Sequence, residues 1–188
     1  MLRRIYNWIM ALSGSRHAVP ALAAVAFAES SFFPIPPDAF IIPMVLAQPK
    51  RAWRIALVAT SASVFGGLLG YAIGYYLQDF SRWLIGAHNF EAFRAAYAQW
   101  GLWIILIKGL TPIPYKIVTI ASGLTSFNLP VFILASIATR GARFFIVAAL
   151  LRFYGPPIRD FIERRLTLVT TAFLVLLVGG FLFVRYVA

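Results

Sequence analysis

The chain has 188 residues, of which 61% are hydrophobic and 12% charged. A soluble domain carries about 25% charged residues, and a body this small exposes most of its surface to water. Together with a mean hydropathy of +0.82, these values exclude a soluble enzyme, a disordered tail and a disulfide-stapled secreted module, and point to an integral membrane protein. Seventeen Lys and Arg against six Asp and Glu give a net charge of +11. The aromatics sit in apolar runs, so this charge reads as cytoplasmic loops facing anionic lipid, and no nucleic-acid partner is expected. Cysteine is absent, and His17 and His88 have no ligand-spaced partner. No cofactor, metal or catalytic residue is therefore expected.

Residues 1–16 place Ile5, Trp8, Ile9 and Leu12 at helical spacing among Arg3, Arg4 and Arg16. This predicts an amphipathic helix lying on the inner leaflet. Residues 18–48 hold two apolar arms, neither of which reaches the roughly 20 residues of a span. Between them Glu29 is followed by Pro34, Pro36, Pro37 and Asp38. Three prolines in four positions break a helix, and broken backbone in a bilayer has to face protein or a wet cavity. A re-entrant hairpin is the expectation. Lys50, Arg51 and Arg54 anchor its return.

Residues 55–78 carry no charge and predict a spanning helix. Gly66, Gly70 and Gly74 recur every four residues and share one face. That face suits close helix packing, with a groove for a lipid chain as the alternative. Residues 79–94 mix Asp79, Arg82, His88, Glu91 and Arg94 with aromatics and read as an interfacial segment on the opposite side. Residues 95–126 repeat the broken pattern: Lys108, then Pro112 and Pro114, then Lys116. Residues 129–152 form a second span, with Arg140 and Arg143 near its middle. A polar loop follows over 153–165, and residues 166–184 are a third span. Ten basic residues fall on one side (Arg3, Arg4, Arg16, Lys50, Arg51, Arg54, Arg152, Arg159, Arg164 and Arg165) and three on the other (Arg82, Arg94 and Arg185). The N-terminus is expected in the cytoplasm and the C-terminus in the periplasm.

A shift of 78 residues lays Pro34-Ile35-Pro36 on Pro112-Ile113-Pro114, and Asp38 on Lys116. One span separates the two breaks, so the hairpins enter from opposite faces, as in the inverted repeats of secondary transporters. The predicted fold is an all-α integral membrane protein. It is an inverted repeat with two proline-broken re-entrant hairpins, three spanning helices and amphipathic interfacial helices. Glu29, Asp38, Lys108, Lys116, Arg140 and Arg143 cost roughly 2.5–3.5 kcal/mol each at the bilayer centre, so they must face one another or water. Two readings follow. The charges are ion pairs holding the hairpins together, or they form an anion site in which the surplus of positive charge takes a phosphate and the acids release it or carry protons.

The Glu29-to-Asp38 segment, the glycine helix, the Lys108-Gly-Leu-Thr-Pro112-Ile-Pro114 break, Gly123 and Arg140-Gly141-Ala-Arg143 resemble the DedA family, also called the VTT or SNARE-associated-Golgi-like domain, and within it the shorter YqaA-like branch. The resemblance covers roughly residues 20–155. It implies a lipid translocase, a flippase or scramblase, in the bacterial inner membrane. The implied cargo is undecaprenyl phosphate or a phospholipid, and the implied drive is the proton motive force. The family's essential acids fall on Glu29 and Asp38. Its basic pair falls on Lys108 and Lys116, where Arg is the commoner residue and Lys offers only a point charge. The expected partners are membrane lipids with phosphate head groups and protons, and self-association into a homo-oligomer stays open. The rival expectations are a structural factor for envelope assembly, an intramembrane lipid-modifying enzyme built on Ser122, and a carrier of small solutes.

Overall fold

The computed structural model describes residues 17–33, 36–110 and 114–164. The helices expected over 1–16 and 166–184, and the residues Pro34, Pro112 and Arg185, lie outside them. The described chain is helical: α1 (Ala18–Ser31), α2 (Asp38–Ala47), a 3-10 turn (Pro49–Arg51), α3 (Ala52–Tyr76), α4 (Gln78–Ile85), α5 (Ala87–Leu110), α6 (Lys116–Leu124) and α7 (Leu129–Arg164). Two helical stretches, Pro49–Tyr76 and Leu129–Gly155, are long and apolar enough to cross a membrane.

The prolines end helices where the sequence places them. α1 stops at Ser31, and α2 starts at Asp38 behind Pro37. α6 starts at Lys116, directly after Pro114 and Tyr115. At 1.5 Å per residue the 10-residue α2 and the 9-residue α6 are only about 15 Å long, half a hydrocarbon core.

Two expected boundaries move. The change from interfacial to apolar near residue 94 is not a helix end, because α5 runs unbroken from Ala87 to Leu110. Between Ala87 and Gln99 there is neither Pro nor Gly, so polarity changes along this helix while its backbone continues. The break falls instead at Gly86, whose φ of +83° turns the chain between α4 and α5. The loop expected over 153–165 is also helical. α7 reaches Arg164 with a kink at Tyr154, two residues before Pro156, which has no N–H to give the carbonyl of Arg152.

The packing pattern is symmetric. α3 and α7 are antiparallel: the Tyr71 and Phe132 rings meet at 5.4 Å near one end, Ser63 meets Arg140 midway, and Trp53 stacks on Phe145 at 6.0 Å towards the other. α1 runs parallel to α3. Ala18 and Leu22 share a core with Ala52, Ala56 and Ala59, while Ser30 and Ser31 bond Ser63 and Gly66. α6 is also parallel to α3, pairing Thr119 with Gly70 and Gly123 with Tyr71. On α7, the parallel neighbours are α2 (Asp38 on Arg143, Leu46 beside Gly155) and α5 (Gly109 on Thr139). Each long helix thus holds the first arm of its own repeat and the second arm of the other. α3 and α7, the last described helices of the two halves, thus oppose each other. α1 and α2 form a hairpin whose outer ends, at Ala18 and Leu46, share one core with Ala52. Its tip stands level with Ser63 and Gly66, midway along α3.

The shared glycine face of α3 is filled by these arms. Each glycine forfeits about 1 kcal/mol of helix propensity and permits backbone contact in return. A Cβ on Gly66 would lie 2.8 Å from the Phe27 carbonyl carbon, one on Gly70 2.9 Å from the Ser30 carbonyl oxygen, and one on Gly74 2.9 Å from the Leu124 nitrogen. Outward, Leu57, Phe65, Leu134, Ile137 and Ile146 are exposed, an apolar surface suited to lipid.

Candidate functional site

The site lies where the hairpin tips meet the middle of α3 and α7. Glu29 is in the last turn of α1, and its side chain is 8% exposed. Its Oε2 accepts from Arg140 at 2.7 Å and from the Ser30 hydroxyl at 3.2 Å, and its Oε1 accepts the Tyr115 backbone N–H at 3.0 Å. One carboxylate therefore ties α1 to α7 and to the break of the second hairpin. Tyr115 has its N–H to give because it stands just before α6, where a helix leaves its first donors unpaired.

Arg140 is 1% exposed. Its Nε donates to the Ser63 hydroxyl at 2.7 Å, and Ser63 in turn shares a 2.7 Å hydrogen bond with Ser30. Its guanidinium lies 5.0 Å from the Tyr115 ring centre and 4.6 Å from that of Phe144. Aromatic faces on a desolvated cation add to its hold. The Tyr115 hydroxyl closes the network on Ser136 at 2.7 Å.

One turn along α7, Arg143 pairs with Asp38 at the start of α2. This pair is more open, with side chains 16% and 20% exposed. The second carboxylate oxygen, Asp38 Oδ1, is buried and accepts no hydrogen bond among the described residues. Lys116, at the start of α6, reaches across to donate to the Phe32 carbonyl at 3.2 Å. The Thr119 hydroxyl donates to the Ser30 carbonyl at 2.9 Å, so the two hairpins are stitched along their tips. Lys108 lies in the last turn of α5, beside the Gly109 contact with Thr139.

Of the six charges expected to meet, four converge in two acid–arginine pairs. Lys116 is on a backbone carbonyl. Pro36, Pro37 and Pro114 stand at the two breaks. The sequence reading did not pick out Ser30, Ser63, Tyr115, Ser136 or Thr119. A signal existed for two of them: Ser63 lies one turn before Gly66 on the same face of α3, and Ser136 one turn before Arg140.

Basic residues gather at one end of the bundle. Lys50, Arg51 and Arg54 surround the start of α3, and the Arg152 guanidinium lies 5.5 Å from the Trp53 ring centre. At the far end Arg82 is balanced by Glu91 at 3.6 Å.

The family model of the VTT domain matches residues 19–153, which contain both breaks and both ion pairs. An uncharacterized protein of Haemophilus influenzae is 34% identical over 186 residues, covering 96% of each chain. An uncharacterized protein of Histophilus somni is 34% identical over 156 residues, covering 80% of this chain and 81% of its own. No solved structure matches the chain. The broken hairpins, the glycine-lined central helix and the family match over most of the length make this chain a membrane protein of the VTT-domain, or DedA, family.

Proposed function

We propose that the protein is a lipid translocase that moves a phosphate-bearing lipid across the bacterial inner membrane, with protons as the coupling ion. It performs no covalent chemistry. The short-armed pair α1 and α2 is a re-entrant hairpin, the 24-residue α5 with the short α6 forms a second hairpin entering from the opposite face, and the N-terminus is cytoplasmic. The observation that carries the reading is the placement of Glu29–Arg140 and Asp38–Arg143 at the meeting point of the inverted hairpins. Buried ion pairs are seldom the cheapest way to stabilise a core, since apolar side chains of like volume do as well or better. Arginines with acids in a bilayer belong instead to pathways for charged groups, and a guanidinium is well shaped for phosphate oxygens. The cargo is undecaprenyl phosphate or a phospholipid.

The test is a flux assay in liposomes. Labelled polyprenyl phosphate, phosphatidylethanolamine and phosphatidylglycerol are compared with and without a pH gradient. At least one lipid should cross faster than in protein-free vesicles, and a gradient should change that rate. Equal rates for every lipid and gradient would reject the proposal. A second reading, a structural factor for envelope assembly, draws on the same geometry, because both acids already have arginine partners. It predicts null flux together with strong destabilisation by every charge substitution. An enzyme built on Ser122 is the weaker reading, because that hydroxyl is engaged by Tyr97 at 2.8 Å and by the Val118 carbonyl at 2.8 Å.

Topology has its own test, helped by the absence of native cysteine. Gln48→Cys and a cysteine near the N-terminus should react with an impermeant maleimide from the cytoplasmic side, and Asp79→Cys from the other. Labelling of the first two from opposite faces would reject the re-entrant first hairpin.

A further inference from the structure

We propose that the end of the bundle around Lys50, Trp53, Arg54 and Arg152 binds one anionic phospholipid, which stays there as a fixed partner of the protein. Such a lipid keeps its place whether or not the protein moves other lipids across the membrane.

α3 and α7 meet at this end through two rings and a cation. Trp53 stacks on Phe145, with ring centres 6.0 Å apart and planes within 16°, and the Arg152 guanidinium lies 5.5 Å from the Trp53 ring centre. A guanidinium resting on an aromatic ring still has N–H groups to give to an acceptor, and Arg152 has no ion pair among the described residues. Lys50 stands three positions before Trp53 and four before Arg54, so it neighbours both on one face. Lys50, Arg51 and Arg54 are exposed.

No acid with a described side chain stands at this end. Glu29 and Asp38 are taken by Arg140 and Arg143 midway along the bundle, and Asp79 and Glu91 lie at the far end, where Glu91 faces Arg82. Asp160 and Glu163, on the last turns of α7, are equalled there by Arg159 and Arg164. Lys50, Arg51, Arg54 and Arg152 are therefore a local surplus of positive charge.

Depth decides whether water or lipid answers that surplus. Ser63 lies at the middle of the Pro49–Tyr76 stretch, and Trp53 is ten residues from it, about 15 Å along the helix. That is half of a hydrocarbon core of about 30 Å, so Trp53 and the cations beside it stand at the level of lipid phosphates. Arg152, twelve residues beyond Arg140 on the antiparallel α7, reaches the same level. From there towards the middle of the bundle, Leu57, Ser61 and Phe65 recur every four residues after Trp53, and all are exposed. They form a strip along which an acyl chain can lie. A lipid with a net negative head group matches both the charge and the strip. A zwitterionic lipid brings its own cation, and free phosphate has nothing for the strip. Each Lys or Arg near an anionic head group adds about fivefold to affinity. With a phosphate oxygen on Arg152 and another on Lys50 or Arg54, the lipid ties α7 to the start of α3.

The experiment uses the full chain in phosphatidylcholine nanodiscs. The probe is phosphatidylglycerol brominated near the head of its acyl chains, and brominated phosphatidylcholine is the reference. Bromine quenches tryptophan on contact. Emission should fall further with brominated phosphatidylglycerol than with the same fraction of the reference lipid. The excess should vanish in Trp53→Phe, which keeps a ring on Phe145. Arg152→Gln should raise the phosphatidylglycerol fraction needed for half of the excess about fivefold, and Lys50→Gln combined with Arg54→Gln by more. Arg82→Gln, at the far end, should leave that fraction unchanged. Lys50 and Arg54 are exposed, so their double variant folds and decides the outcome even where Arg152→Gln does not. Equal quenching by the two lipids, an excess that survives in Trp53→Phe, or an unchanged half-point in the Lys50 and Arg54 variant would each overturn the site. Removal of the excess by millimolar inorganic phosphate would show a site for ions in place of one for lipid and overturn it as well.

Discussion

Arg140→Ala should destabilise the bundle by roughly 3–5 kcal/mol, the cost of stranding one partner of a buried ion pair. The Glu29 carboxylate would keep the Ser30 and Tyr115 donors but lose its counter-charge in a site where water cannot replace it. The Ser63 hydroxyl and the two flanking rings would border an emptied volume. Adding Glu29→Gln should restore at least about 2 kcal/mol, because a neutral amide oxygen can still accept the Tyr115 N–H and carries no charge to strand. Chemical unfolding in detergent, read by circular dichroism, measures both variants. A wild-type midpoint for Arg140→Ala would show that the pair does not hold the hairpins.

The second large effect is expected at Gly123. A Cβ there would lie 2.8 Å from both the Tyr71 carbonyl carbon and the Tyr75 nitrogen, and Gly74 across the contact is equally close to the Leu124 nitrogen. The backbones of α3 and α6 touch, with no flexible side chain to yield. Gly123→Val should cost on the order of 3 kcal/mol, the upper range for overpacking. The damage should extend to Gln78, whose amide donates to the Gly123 carbonyl and the Ser126 hydroxyl. Gly86→Ala, at a corner with nothing within 4 Å but with φ of +83° and ψ of 147°, should cost about 1–2 kcal/mol of strain in a backbone region nearly confined to glycine. Unfolding midpoints of the two variants, measured side by side, test the order. Equal midpoints would mean that α3 and α6 can part without loss.

The breaks were legible because clustered prolines act locally: the cluster before Asp38 interrupts the helix, whereas the lone Pro43 is carried inside α2. The pairing of two acids with two arginines was half legible. Depth in an apolar run required partners, but the sequence could not say that both acids would take an arginine. That depends on the register between α2 and α7, set by packing such as Leu46 beside Gly155. The helix boundary near residue 94 misled because a change of polarity resembles a change of structure. Only Gly or Pro alters the backbone itself, and Gly86 is where that happens. The Tyr115 N–H could not have been foreseen as a ligand of Glu29, since every residue but proline carries that donor and its use is decided 86 positions away.

The interlaced packing also fixes the order in which the protein can be assembled. Glu29 waits 111 residues for Arg140, and Asp38 waits 105 for Arg143. At 5–20 residues per second on the ribosome, that is roughly 5–20 s during which the first hairpin has been made and neither arginine exists. Its acids meet no positive partner from their own repeat in the completed pairs, and α2 has no α7 to lie against. Docking of α2 is therefore a late event that follows synthesis of the second half, whereas α1 has α3 of its own repeat to lie against. A chain truncated before Arg140 is expected to leave α2 undocked and both acids without their arginines, a substrate for quality-control proteolysis.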